Sequence, residues 1–465
     1  MVSRRKIFMK KYDLIWIGTG QAILAAMPHL VGMGKSVAIT EGGRIGGSCV
    51  NYGCTPTKTL VASARAAHMA RRGADFGVIT GDIRIDFARV MERQNLMRKK
   101  TRRGIEEWLR GMDGVDIYTD DAVFTGPHTV RVGQEFIEGE TIVINTGGRA
   151  RVPNLDGIES VDWLDNDRLL DLGELPGHLV IIGGSYISLE FGQAFRRFGS
   201  QVTILEGSSQ LMFREDPDIA AIAKEILAGE GVEIHLNANV KRVAQENGRK
   251  IVYYEQDDQI QQVSGTHLLL AAGRLPNSDR LNLEAAGVDV DKRGYIRVNE
   301  ATQTNVPHIF AVGDVNGEGA FTHTSVNDGE IFWDHYSGSG DRALSKRIPT
   351  YALFIDPPLG RVGMSEKSAR ASGRNVLMAT RPMKTILRAQ EKDETAGLVK
   401  ILVDADTEEF LGAAVFGVGG DEVINIFTPF MYTKSSYKAF RKAVLIHPTV
   451  AELMPWILDD LKPLE

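Results

Sequence analysis

A chain of 465 residues is too long for one ordinary hydrophobic core, so two or three domains are expected. Hydrophobic residues at 43% and charged residues at 25% describe a soluble globular protein, and a net charge of −6 gives no electrostatic ground for binding nucleic acid. No apolar run approaches the roughly 20 residues that span a bilayer.

The basic start MVSRRKIF has no apolar stretch behind it, so it does not read as a signal peptide. The first eight residues read as an extension ahead of Met9. With only two cysteines and no export signal, the expected compartment is the cytoplasm.

Tyr12–Ile17 reads as a buried strand that enters a turn at Gly18 and Gly20 and then a helix. A second strand, SVAITE, ends in Glu41, 23 residues beyond Gly18. In a dinucleotide-binding βαβ unit the glycines let a pyrophosphate reach the helix N-terminus, and the acidic residue takes the ribose hydroxyls. The third glycine of that pattern is replaced by Ile23, which predicts a helix pushed outward and a loosened cofactor site, and Pro28 predicts a kink.

Both cysteines, Cys49 and Cys54, follow in GGSCVNYGCTPTK. A structural bond closing so small a loop would gain little. The flanking glycines predict that something approaches the backbone closely. A helix is predicted from Thr55-Pro56 onward, which puts Cys54 at a helix N-terminus, where the dipole favours a thiolate. The pair suits a reversible disulfide. Further on, RKKTRR, Arg98–Arg103, reads as a solvated helix face.

The strand–turn–helix pattern returns in HLVIIGGSYISLE, and QVTILE ends in Glu206, again 23 residues beyond Gly183. Ser185 and Ser188 stand for the later glycines, a mild change. One such fingerprint is weak, but two with equal offsets are much stronger. Strands are predicted around TYALFI, LVKILV and LGAAVFG, with helices after them. The ten histidines show no ligand spacing and two cysteines fall short of a structural zinc site, so no metal centre is expected.

GGSCVNYGCTPTK closely resembles GGTCxNxGCxPxK, the redox motif of the class I flavoprotein pyridine nucleotide-disulfide oxidoreductases. These include dihydrolipoamide dehydrogenase, glutathione reductase and mercuric reductase. INTGGRARVP (Ile144–Pro153), AAGRLPN (Ala271–Asn277), TNVPHIFAVGDVNGEGAFTHTS and HPTVAE (His447–Glu452) resemble further family segments in the right order. TPTKT, FTHTS and IDPPLGRVG look nearest to mercuric-reductase-like members.

The resemblance implies an α/β fold with two Rossmann-like dinucleotide-binding domains and a C-terminal α+β dimerisation domain. The FAD domain would span residues 9–151 and 277–345, the NAD(P) domain 152–276 and the interface domain 346–465. Cys49 would attack the acceptor, Cys54 would face the flavin as a thiolate, and His447 would act as general acid–base with Glu452 fixing its tautomer. Cofactor-binding positions would be Gly18, Gly20, Glu41, Gly47, Ser48, Lys58, Ala122, Thr146, Gly147, Gly183, Tyr186, Glu190, Glu206, Gly273 and Asp314. Among these, Lys58 would pair with Glu190, and Tyr186 would be an aromatic lid on the nicotinamide pocket. His447 would come from the partner of a homodimer. His323 and Tyr52 read as lining or packing residues.

The implied activity is electron transfer from NADH, with NADPH possible, through FAD and the Cys49–Cys54 disulfide to a small disulfide or other electrophile, with no nucleic acid or membrane partner. The reading is mercuric-reductase-like, but the tail HPTVAELMPWILDDLKPLE carries no second cysteine pair. A dihydrolipoamide dehydrogenase is one alternative. A redox-sensing or structural dimer that binds flavin weakly, on the strength of Ile23 and Pro28, is another.

Overall fold

A computed structural model describes residues 9–464; the extension expected ahead of Met9 lies outside them. The chain forms two compact units: Met1–Thr59, Met91–Arg151 and Gly273–Arg347 make one, and Leu60–Val90, Val152–Ala272 and Ile348–Glu465 the other.

The first unit is built on a seven-stranded sheet. Its central strand, Lys10–Ile17, ends in the unbroken buried apolar run Leu14–Ile17, as a parallel strand covered on both faces requires. It pairs in parallel with Val37–Thr40 and Glu135–Ile144, and Ile309–Ala311 pairs in parallel with the latter. The register aligns Ile17 with Thr40 and Ile144, and Ile144 with Ala311. Gly18, Glu41, Asn145 and Val312 therefore leave the sheet along one carboxyl edge, where ligands bind in open α/β sheets. Leu14 and Trp16 face one core cluster; Ile15 and Ile17 face another.

Ile23 departs from expectation. It opens the helix Ile23–Gly32 and is fully buried in the cluster of Leu14, Trp16 and Phe332. The facing helix Thr322–Ser337 places Gly329 so that an added Cβ would lie 2.2 Å from the Ala22 carbonyl oxygen, so the two helices close tightly beside Ile23. The side chain is a core element here. Pro28 lies inside the same helix and is exposed. Ile23→Gly is expected to lower stability by about 3–5 kcal/mol through loss of the buried side chain. Thermal unfolding of the holoenzyme checks this; an unchanged midpoint would contradict the packing argument.

In the second unit, Glu233–His235, Gln201–Leu205, His178–Ile182 and His267–Leu270 form a parallel four-stranded sheet. Ile182 is level with Leu205 and Leu270, so Gly183, Glu206 and Ala271 share one edge, repeating the first sheet. A three-stranded antiparallel sheet spans Asn239–Gly265. The C-terminal residues build a six-stranded sheet. It contains the expected strands as Thr350–Leu353, Leu398–Asp404 and Phe410–Phe416, together with Leu359–Gly363 and Val376–Pro382, which periodicity did not reveal. Among the described residues no helix is long and apolar enough to cross a membrane.

Candidate active site

The same local structure occurs at the two carboxyl edges. At Gly18 (φ +91°) a Cβ would sit 2.5 Å from the Asn145 carbonyl oxygen; at Gly183 (φ +108°) it would sit 2.5 Å from that of Ala271. Only glycine fits where the chain turns this close to the next strand. The Glu41 carboxylate accepts from the Thr19 N–H at 3.0 Å and the Gly43 N–H at 2.8 Å. Glu206 accepts from the Gly184 N–H at 2.6 Å and the Ser208 N–H at 2.7 Å. Each carboxylate is thus fixed beside a glycine turn, as ribose recognition requires.

The helices that follow, Ile23–Gly32 and Tyr186–Phe198, have no side-chain cap on their N-termini. Backbone N–H groups at such termini form a donor set for phosphate. The residues present therefore fit two dinucleotides, FAD and NAD(P).

The cysteine loop lies against the first glycine turn. Gly46 and Gly47 have φ of +101° and +66°, and a Cβ on Gly47 would meet the Gly20 Cα at 2.9 Å. The close approach expected from the glycines is therefore backbone on backbone. Thr19 ties the two loops, since its hydroxyl accepts from the Gly46 N–H at 2.9 Å and donates to Glu41. The buried Asn51 amide donates to the carbonyls of Ile45 at 3.0 Å and Gly47 at 2.9 Å.

Ser48 and Cys49 lie on the short helix Gly47–Tyr52; Cys54 is the first residue of the helix Cys54–Arg71, one position ahead of expectation. Cys49 is half-buried and Cys54 exposed. The Cys54 sulfur is 3.3 Å from the Thr322 hydroxyl, and Thr322 opens the 16-residue helix Thr322–Ser337. Cys54 thus stands at its own helix N-terminus and beside the first residue of another, both favouring a thiolate. Hydrogen bonding to Cys54, then burial, pushes the Cys49 thiol up from its ordinary value, so Cys49 needs a base to become a nucleophile.

Other expected positions are placed as follows. The Thr146 hydroxyl donates to the Asn277 carbonyl at 3.0 Å, and Gly147 accepts from the Asn277 N–H at 2.9 Å. The Gly273 carbonyl accepts from the Arg151 N–H at 3.0 Å, and Gly148–Ala150 pairs with Arg274–Pro276. Asp314 accepts from Arg274 at 3.1 Å; burial raises its carboxyl and Arg274 opposes that. Ala122 is buried at a strand start, and Lys58 is half-buried on the helix that Cys54 begins. Glu190 is buried and accepts from the Phe354 N–H at 3.0 Å. His447 is exposed, with Nδ1 2.9 Å and 3.0 Å from the Glu452 oxygens, which leaves Nε2 outward. His323 stacks on Phe321, and Arg44 lies over the Tyr52 ring.

The basic run is not wholly solvated as expected. Arg98 is buried in the helix Phe87–Arg110 and reaches the Asn51 carbonyl at 3.4 Å, because the redox loop offers its backbone there. Thr19, Asn51 and Thr322 were also missed. FTHTS points to Thr322 only once its helix is known to start there.

The family model for pyridine nucleotide-disulphide oxidoreductases matches residues 12–329, and that for their dimerisation domain matches residues 349–458. The chain is 38% identical over 453 residues to the probable pyridine nucleotide-disulfide oxidoreductase RclA of Escherichia coli strain K12, covering 96% of this chain and 98% of the relative. It is 30% identical over 418 residues to a mercuric reductase of Lysinibacillus sphaericus, covering 89% and 76% respectively. Its fold matches the Cu(II) complex of the HOCl-induced flavoprotein disulfide reductase RclA from Escherichia coli, with TM-score 0.88, 36% identity, and 97% and 99% of the two chains covered. Two Rossmann-like domains, a dimerisation domain and a cysteine pair at the first glycine turn agree with these matches, and the chain belongs to the pyridine nucleotide-disulphide oxidoreductase family, as an FAD-dependent disulfide oxidoreductase.

Proposed function

We propose that this enzyme moves two electrons from NADH, by way of FAD, to the Cys49–Cys54 disulfide, and that the resulting dithiol reduces a small electrophilic acceptor. The observation that supports this most is the cysteine loop seated backbone to backbone on the first glycine turn. Residues 9–151 and 277–345 hold FAD, 152–276 hold the nicotinamide dinucleotide, and 346–465 form the interface of a cytoplasmic homodimer. Bound FAD supplies the relay between hydride and thiol chemistry. Cys49 attacks the acceptor, Cys54 takes the thiolate charge, and the partner chain's copy of His447 removes the Cys49 proton.

NADH is favoured over NADPH because the Glu206 carboxylate, held by two N–H donors, repels a 2′-phosphate. Residues 207–213 contain no Lys or Arg, and Arg214 lies over the Phe213 ring. The expected preference in kcat/KM is at least about tenfold. Equal efficiency with NADPH would overturn it and point to Arg214 as a phosphate clamp.

The acceptor is tested by NADH oxidation with disulfides, lipoamide, Cu(II), Hg(II) and quinones, on protein carrying stoichiometric FAD. Sustained turnover with a small disulfide or with Cu(II), the ion in the E. coli relative's complex, is expected. Hg(II) is expected to inhibit. The only two cysteines are those of the redox loop, so an ion held by both thiolates has no third thiol to exchange with. Steady release of elemental mercury would make mercuric reductase the better reading. No turnover with any acceptor would favour a redox-sensing dimer.

A further inference from the structure

The segment Arg214-Glu215-Asp216-Pro217 carries two acidic residues into the interior of the second unit. The side chains of Glu215 and Asp216 are each 1% exposed. Buried carboxylates persist only where cations and donors compensate for lost water. Arg361, itself fully buried, lies 2.8 Å from Glu215 and 2.7 Å from Asp216. Lys400 reaches Asp216 at 3.4 Å, Asp218 at 2.9 Å and Glu366 at 2.8 Å, so an ammonium already fills that acidic cluster.

The other oxygen of Glu215 accepts from two phenols, Tyr186 at 3.0 Å and Tyr351 at 2.7 Å. The two rings meet edge to face with centroids 5.9 Å apart. Burial first, and then the Glu215 charge, raise both hydroxyls well above the ordinary phenol range, so both stay protonated and donate. Tyr186 is the first residue of the helix behind the second glycine turn. A side chain there is free to swing only if its far end is released. Here the far end is fixed to a carboxylate that the Arg361 ion pair holds in place.

We infer that Glu215 is the latch of the Tyr186 lid: a positioning residue that holds the ring closed through the phenol hydrogen bond and so sets the affinity for the reduced dinucleotide. This rests on the reading of Tyr186 as the lid. Opening the lid breaks a hydrogen bond to a charged acceptor, and apparent affinity falls with the fraction of molecules that are open.

Tyr186→Phe keeps the ring and removes the phenol hydroxyl with its bond to Glu215, while Tyr351 still donates to Glu215 at 2.7 Å and Arg361 stays 2.8 Å from it. In the FAD-loaded dimer, NAD⁺ binding by calorimetry is expected to tighten, and KM for NADH to fall, each by about tenfold. Structural damage would instead raise KM and lower kcat. Tyr186→Ala, which removes the lid itself, is expected to tighten binding at least as much. If Tyr186→Ala tightens binding and Tyr186→Phe does not, the latch is wrong and the lid stands. If neither does, both are wrong.

Discussion

Cys49→Ala is expected to lower acceptor turnover by at least about a thousandfold, because it removes the proposed nucleophile. It should nevertheless keep a long-wavelength thiolate–flavin absorption band. In the proposed roles the band belongs to Cys54, which starts one helix and lies 3.3 Å from the Thr322 hydroxyl at the start of another. Cys54→Ser should lose the band together with turnover. The asymmetry follows from the geometry: Cys49 hydrogen-bonds to Cys54 and is the more buried, which raises its thiol, whereas Cys54 faces the helix termini. If Cys54→Ser keeps the band, the roles of the two thiols are reversed.

His447→Gln is expected to slow reduction of a disulfide acceptor by about a hundredfold to ten-thousandfold, the range for losing a general acid–base. The half-reaction that takes electrons from NADH should change little. The raised Cys49 thiol makes a base necessary, and the Glu452 carboxylate at 2.9 Å from Nδ1 directs Nε2 outward for that task. Mixed dimers test which chain supplies the base. With a shared site, pairing a Cys49→Ala chain with a His447→Gln chain restores one complete site and about half of the activity. With both residues from one chain, every mixed dimer is inactive. Single-turnover measurements with each variant alone give the baseline.

The features legible in the sequence were those that repeat or sit close together along the chain. The offset of 23 residues from Gly18 to Glu41 and from Gly183 to Glu206 reflects one strand–helix–strand geometry used twice, and the structure shows the same carboxylate contacts at both. The cysteine pair and the helix behind it were likewise local. What the sequence did not disclose depends on distant approach. Cys54 and Thr322 are 268 positions apart, Thr19 and Gly46 are 27 apart, and Arg98 reaches Asn51 across 47. The burial of Ile23 likewise depends on distant approach: it packs with Leu14, Trp16 and Phe332, the last on a helix more than 300 residues later. Glu215 gave no signal beyond its charge, because its partners Tyr186, Tyr351 and Arg361 come from three separate elements.

Reducing equivalents from NADH should reach the Cys49–Cys54 pair. Anaerobic titration of the FAD-loaded enzyme with NADH, followed by alkylation and mass spectrometry of both cysteines, tests it most directly. One equivalent of NADH per chain should produce the long-wavelength band and convert both Cys49 and Cys54 from unreactive to alkylated. A flavin that bleaches with one equivalent while the two cysteines stay resistant to alkylation would contradict the account.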